Sequence, residues 1–240
     1  MSRVARVVVP GFAHHVTQRG NRRADVFEAE EDYVAYLRFL RHYAQRRGLA
    51  VWAYCLMTNH VHLIVAPDRE DSLGLALRDA HTVYAMRFNS RARLSGHVWQ
   101  GRFYSCPMDE AHVWAAVRYA ERNPVRAGMV ERAEQYRWSS ARAHCGHACE
   151  PVLSAEFPPP GVVNDWAAWL RDADDESTVD ALRRQTRTGR PCGSPRFITQ
   201  IESLLHRHLR PQPPGPKPKQ TKPSPKKSTG ARHEKRNRVR

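Results

Sequence analysis

The sequence has little sulfur, few acids and no long apolar run. Its five cysteines among 240 residues are an odd number, scattered from Cys55 to Cys192. They make no disulfide framework and fit a reducing compartment. No apolar stretch approaches the ~20 residues that a membrane-spanning helix needs. The opening MSRVARVVVPGF is too short and too soon interrupted for a signal peptide. A soluble, cytoplasmic (nucleoid-associated) chain with no membrane partner is therefore expected. Against 24 Asp+Glu stand 39 Lys+Arg, a formal charge of +15, which favours polyanionic partners, nucleic acid or an anionic surface.

The charge is unevenly spread. From Pro211 onward the chain is rich in proline, lysine and arginine without apolar periodicity, which predicts a disordered tail over 211–240. Ten basic residues against Glu234 give this tail a salt-sensitive, sequence-blind attraction for nucleic acid. Residues 1–150 read as one domain and 151–210 as a helical extension, with a Pro-rich break at 157–161. Apolar periodicity predicts strands over 14–20, 49–57, 60–66 and 98–108, and helices over 31–47, 72–89 and 110–122, the last kinked or ended by Pro124. In the extension, helices are expected over 166–170, 176–186 and, opened by Ser194-Pro195, over 195–209. The order β-α-β-β-α-β-α predicts an α+β fold, a ferredoxin-like or RRM-like antiparallel sheet with helices on one face and the other face free for a ligand.

The chemistry concentrates in two words, Asn59-His60-Val61-His62-Leu63-Ile64-Val65 and Tyr119-Ala120-Glu121-Arg122-Asn123-Pro124. On a strand His60 and His62 project together, while Val61, Leu63 and Val65 point the other way into a core. On a helix Tyr119 and Asn123, four apart, share a face. If that helix packs across that strand, two imidazoles, a phenol and an amide make one site, a metal with a nucleophile beside it. A lone His-x-His is more often filler, so the neighbouring words carry weight. His144-Cys145-Gly146-His147-Ala148-Cys149 offers four soft ligands, yet structural zinc sites draw ligand pairs from separate knuckles, which weighs against zinc here. His206 and His208 on a helix point about 200° apart and cannot act as a pair.

Several of these words occur in the order of a known family. Tyr54-Cys55-Leu56-Met57-Thr58-Asn59-His60-Val61-His62, Trp99-Gln100-Gly101-Arg102-Phe103, the stretch YAERNPVRAGMV over 119–130, and Trp138-Ser139-Ser140 together resemble the single-tyrosine HUH transposases, and within them the REP-associated tyrosine transposases. The resemblance begins at the HHVTQRGN segment and covers about the first two thirds of the chain. It departs at Thr58, where relatives often carry proline.

The resemblance implies a DNA strand-transfer enzyme. Tyr119 would be the nucleophile and form a 5′-phosphotyrosine; His60, His62 and Asn123 would hold Mg2+ or Mn2+, a mixed nitrogen and oxygen set suited to either ion. The implied substrate is single-stranded DNA with hairpin-forming repeats. Arg19, Asn21, Arg102 and Arg126 are candidates for DNA contact, and Trp99 and Phe103 fit either a stacking surface or the core. The tyrosine follows the histidines, whereas relaxases place it ahead of them. A protein of this fold that binds nucleic acid without catalysis is the alternative. Sequence order does not decide between monomer and dimer, nor whether Tyr119 serves its own chain's metal or a partner's.

Overall fold

Strand β1 (His14–Arg19) lies at the centre of a four-stranded sheet, between β3 and β4, because its side chains alternate between two different cores. The computed structural model describes residues 5–157 and 162–210. After β1 come helix α1 (Glu30–Arg47), strands β2 (Leu49–Met57) and β3 (His60–Pro67), helix α2 (Ser72–Ala92) and strand β4 (Tyr104–Pro107). The strands are all antiparallel in the order β2-β3-β1-β4, the expected ferredoxin-like arrangement. Gly48 stops α1 in the left-handed region (φ +65), which glycine adopts without strain, and β2 follows at once.

One face of the sheet packs on α1 and α2, where Tyr36, Leu40, Leu73, Leu77 and Tyr84 meet Val16, Val61, Leu63 and Val65. Burying each of these large side chains is worth about 1.5–3 kcal/mol. The opposite face, expected to be free, is covered. Against Ala53, Ile64 and Cys106 lie Val113, Ala116 and Val117 of helix α3 (Glu110–Glu121), together with Val179 and Leu182 of a C-terminal helix. The unbroken apolar run Leu63-Ile64-Val65-Ala66 in β3 is the composition of a strand buried on both sides.

Past α3 the chain turns at Arg122 into the short helix α4 (Asn123–Arg126), with Pro124 in its first turn, where a missing N–H costs nothing. Helices α5 (Ala141–His144), α6 (Trp166–Arg171), α7 (Glu176–Thr188) and α8 (Pro195–Leu205) complete the described residues. Asp175 and Ser194 cap α7 and α8 with side-chain oxygens that accept backbone N–H bonds. Both sheet edges are covered. The Leu56 N–H donates to the Trp138 carbonyl (2.8 Å) at the β2 edge, and the Cys192 N–H to the Pro107 carbonyl (2.8 Å) at the β4 edge.

Two element boundaries also need correction. The strand expected over 98–108 is reduced to Tyr104–Pro107, because Gly101 at φ +92 turns the preceding segment away and leaves Trp99 only a single bridge to Gly20. The last helix stops at Leu205 rather than near 209, since His206 takes a left-handed conformation; His206 and His208 therefore lie beyond it. The helical extension over 151–210 packs on the sheet, with α7 against β4 and α3. The basic tail expected over 211–240 lies outside the described residues. Among those described, no helix is long and apolar enough to cross a membrane.

Candidate active site

Helix α3 lays Tyr119 across the middle of the sheet. Its ring centroid is 5.4 Å from that of His62 and 6.1 Å from that of His15, edge-on to both, and the His60 and His62 rings are 5.0 Å apart. The pairing of β1 with β3 sets Thr17 opposite His62 and Arg19 opposite His60, so His15, Thr17 and Arg19 share the face of the histidine pair. Asn123, one turn beyond Tyr119, is only 8% exposed, and its Nδ2 has no hydrogen-bond partner among the described residues.

The far side of α3 is anchored through Glu121. This fully buried carboxylate accepts a hydrogen bond from Trp166 Nε1 (2.7 Å), lies 2.6 Å from His144 Nδ1, and takes the Ser140 hydroxyl as well. With three partners it is satisfied, which a buried charge requires. His144, first of the cluster weighed for zinc, is thus engaged in holding α3. Arg118 and Arg122 pair with Asp174 at 3.4 and 3.3 Å, tying the same helix to the segment ahead of α7.

Two guanidinium groups flank the phenol. Arg126 stands over the Tyr119 ring at 4.3 Å and Arg183 of α7 at 5.4 Å, and Arg183 Nε donates to Tyr119 Oη at 3.4 Å. The contact with Tyr119 raises the Arg183 guanidinium above its ordinary value, with Asp180 adding to the effect.

The histidines are held neutral. Burial pushes His15 down to about 3, and burial followed by Arg19 pushes His60 down to about 4. Burial, His15, His60, Arg126 and Arg19 together hold His62 well below the usual imidazole range. His14 and His81, buried on the sheet's other side, are lowered to about 4 and about 3. An unfolded histidine takes up its proton near pH ~6.5, while these stay neutral in the fold. Their contribution to stability is therefore complete above that pH and is lost as pH falls through the window down to about 4. Each deeply buried histidine is worth on the order of 1.4 kcal/mol per pH unit inside the window. Thermal melts should show the midpoint falling steadily from pH 6.5 to 4.5; a flat profile would contradict this.

Of the residues singled out by sequence, His60, His62, Tyr119 and Arg126 come together, with Arg19 across from His60. Asn123 follows one turn beyond Tyr119, whereas Trp99, Arg102, Phe103 and Asn21 do not join them. Trp99 is 8% exposed and its Nε1 donates to the His81 carbonyl (3.1 Å), so the indole belongs to the core and offers no open stacking surface. Phe103 packs against that core beneath the Arg6 guanidinium, 3.6 Å away. Trp99, Arg102 and Phe103 line a cavity of about 730 Å³ on the α2 side of the sheet, along with Gln18 and His81. Asn21 is exposed at the end of β1, its backbone N–H bonded to the Val98 carbonyl. Sequence reading missed His15, Arg183 and Thr186, whose hydroxyl oxygen lies 2.8 Å from His15 Nδ1. His15 carried a signal, since β1 adjoins β3 in the expected topology and His15 is in phase with Thr17. For Arg183 and Thr186 there was none, because nothing local to α7 says where it docks.

Residues 8–123 match the family described as IS200-like transposases. No curated protein matches the chain. Among solved structures, a REP-associated tyrosine transposase bound to a REP hairpin is similar with a TM-score of 0.52 and 21% identity, over 65% of this chain and 92% of that one. A "putative transposase" from Deinococcus radiodurans aligns with a TM-score of 0.36 and 19% identity, over 50% of this chain and 97% of that one. At 21% identity the likeness to the first is one of fold. The family match is of another kind, because it spans all four strands, both histidines and the whole of α3, and ends on Asn123. Residues 8–123 accordingly form a domain of the IS200-like transposases, HUH-type enzymes built around a single tyrosine.

Proposed function

We propose that this transposase cuts and rejoins single-stranded DNA through Tyr119, in a site assembled within one chain. The observation that carries the proposal is the Tyr119 ring 5.4 Å from His62 of the same chain, with Arg126 over its face. In this reading the phenolate oxygen forms a bond to the scissile phosphorus and the bond to the 3′ oxygen breaks, leaving a 5′-phosphotyrosine. The phenolic proton is released and the departing 3′ oxygen takes one up, so the reverse attack reseals a strand without ATP. Arg126 and Arg183 stabilise the phenolate and the charge that builds on the phosphate.

The donor set fits a divalent cation. His62 engages Nδ1 with His15 (2.9 Å) and His60 engages Nδ1 with Asn59 Oδ1 (2.7 Å), so that in each ring Nε2 is left for a metal. The Asn123 amide is buried and incompletely bonded, and a half-turn about its terminal bond exchanges oxygen for nitrogen at little steric cost. His60, His62 and Asn123 would hold Mg2+ or Mn2+, and the bound ion would polarise a non-bridging phosphate oxygen and orient it for in-line attack.

Hairpin-forming repeat DNA is the proposed substrate. The fold neighbour bound to a REP hairpin and the +15 charge of this chain support it, and DNA of the nucleoid would be met in the cytoplasm. Incubation with labelled single-stranded hairpin DNA and Mn2+ should give a covalent protein–DNA adduct on a denaturing gel. Tight binding with no adduct under any metal would instead favour a protein that only holds nucleic acid.

A further inference from the structure

We propose that helix α7, beyond the reach of the family match, completes the metal side of the site: Thr186, acting through His15, keeps the proton of His62 on Nδ1 and so leaves the Nε2 lone pair free for the divalent cation. This rests on His62 being a metal ligand, as proposed above.

Counting protons along the chain of hydrogen bonds carries the inference. The Thr186 hydroxyl donates to the Leu182 carbonyl at 2.8 Å, and a carbonyl can only accept. The one hydroxyl proton is thereby used, so the Thr186 oxygen faces His15 Nδ1, 2.8 Å away, as an acceptor, and the proton there belongs to His15. A neutral imidazole has one N–H, so His15 Nε2 is bare. That nitrogen lies 2.9 Å from His62 Nδ1, which must be the donor. His62, neutral in turn, has its lone pair on Nε2. The second lone pair of the Thr186 oxygen is open to the Cys106 thiol at 3.3 Å, which completes the hydroxyl's partners.

The relay is enclosed. His15, His62, Thr186 and Cys106 are all buried, so water does not compete for these bonds or scramble the tautomer. The two imidazole planes lie within 11° of parallel, which holds the His62 ring in one orientation. Thr186 and His15 are thus positioning residues, acting on a ligand that neither replaces. Orienting partners of metal-bound histidines commonly alter metal affinity by about 10–100-fold.

Three variants of the full chain and the metal alone decide the matter. Calorimetric titration with Mn2+ should show Thr186→Val, which keeps the shape and removes the hydroxyl, binding at least about tenfold more weakly than wild type. Thr186→Ser, which restores the hydroxyl, should bind like wild type, and His62→Ala should lose the site. Nitrogen-15 NMR of the metal-free wild type should show His62 with Nδ1 protonated and Nε2 bare, and Thr186→Val should show mixed tautomers. If Thr186→Val binds Mn2+ like wild type while His62→Ala does not, the relay is wrong and the metal reading survives. If all three variants bind like wild type, the metal reading falls and takes the relay with it. Equal loss in Thr186→Ser and Thr186→Val would assign the effect to packing and overturn the proposal. A wild-type His62 protonated on Nε2 would overturn it even where Thr186→Val does not fold.

Discussion

Tyr119→Phe should abolish strand cleavage while DNA binding and folding persist. The nucleophilic oxygen has no substitute in the site, and loss of a covalent nucleophile costs roughly 10,000-fold or more in turnover. The ring that packs edge-on to His62 and lies under Arg126 stays in place. Among the described residues the one bond forfeited is the long one from Arg183 Nε, at 3.4 Å, so the stability change should stay within about 1 kcal/mol. Adduct gels, anisotropy titrations with hairpin DNA and thermal melts measure the three quantities. Tyr104 is a second phenol exposed on this face. Tyr104 pairs with Thr17, which itself pairs with His62, and it is 48% exposed. Two strand spacings put it about 10 Å from His62 across the sheet, too far to share a phosphate with the proposed ion. Tyr104→Phe should therefore cleave normally. Full nicking by Tyr119→Phe, or its loss in Tyr104→Phe, would exclude Tyr119 as the nucleophile.

Loss of either histidine of the pair should have the next largest effect. His60→Ala and His62→Ala each remove a proposed ligand, and a Lewis acid on the phosphate is worth several kcal/mol of transition-state stabilisation, so cleavage should fall by roughly 1,000-fold. Chelation should do the same to wild type, with recovery on adding Mg2+ or Mn2+. The two variants should differ in stability. Among the described residues the partly exposed His60 ring bonds its neighbour Asn59 alone, whereas His62 is buried and its loss strips His15 of a partner, at a cost of about 1–3 kcal/mol. Cleavage that survives both substitutions and chelation would show that the histidine pair holds no catalytic metal.

Much of this site could be read before any fold was known. Alternation along β3 put His60 and His62 on the face away from Val61, Leu63 and Val65, and the four-residue step from Tyr119 to Asn123, with Pro124 behind it, marked the helix and its break. These are local facts, set by backbone periodicities that every strand and helix obeys. Trp99 shows the limit: the same word fits an open surface or a core, and a hydrogen bond to the His81 carbonyl, on another element, decides it. The second sheet face shows it again, since periodicity says that a face is apolar and not what covers it.

What the sequence by itself determined is the order of the four strands and the longer helices, and the two pairs, His60 with His62 and Tyr119 with Asn123, on which the proposed chemistry rests. Tertiary structure alone decided that Tyr119 meets its own chain's histidines, and that α7 brings Arg183 to the phenol and Thr186 to His15 across 171 positions. The reason is physical. Contacts within an element follow from backbone geometry over a few residues, whereas docking of α7 depends on burying Val179 and Leu182 against the sheet and α3, a non-directional force that leaves no mark in the spacing of either partner.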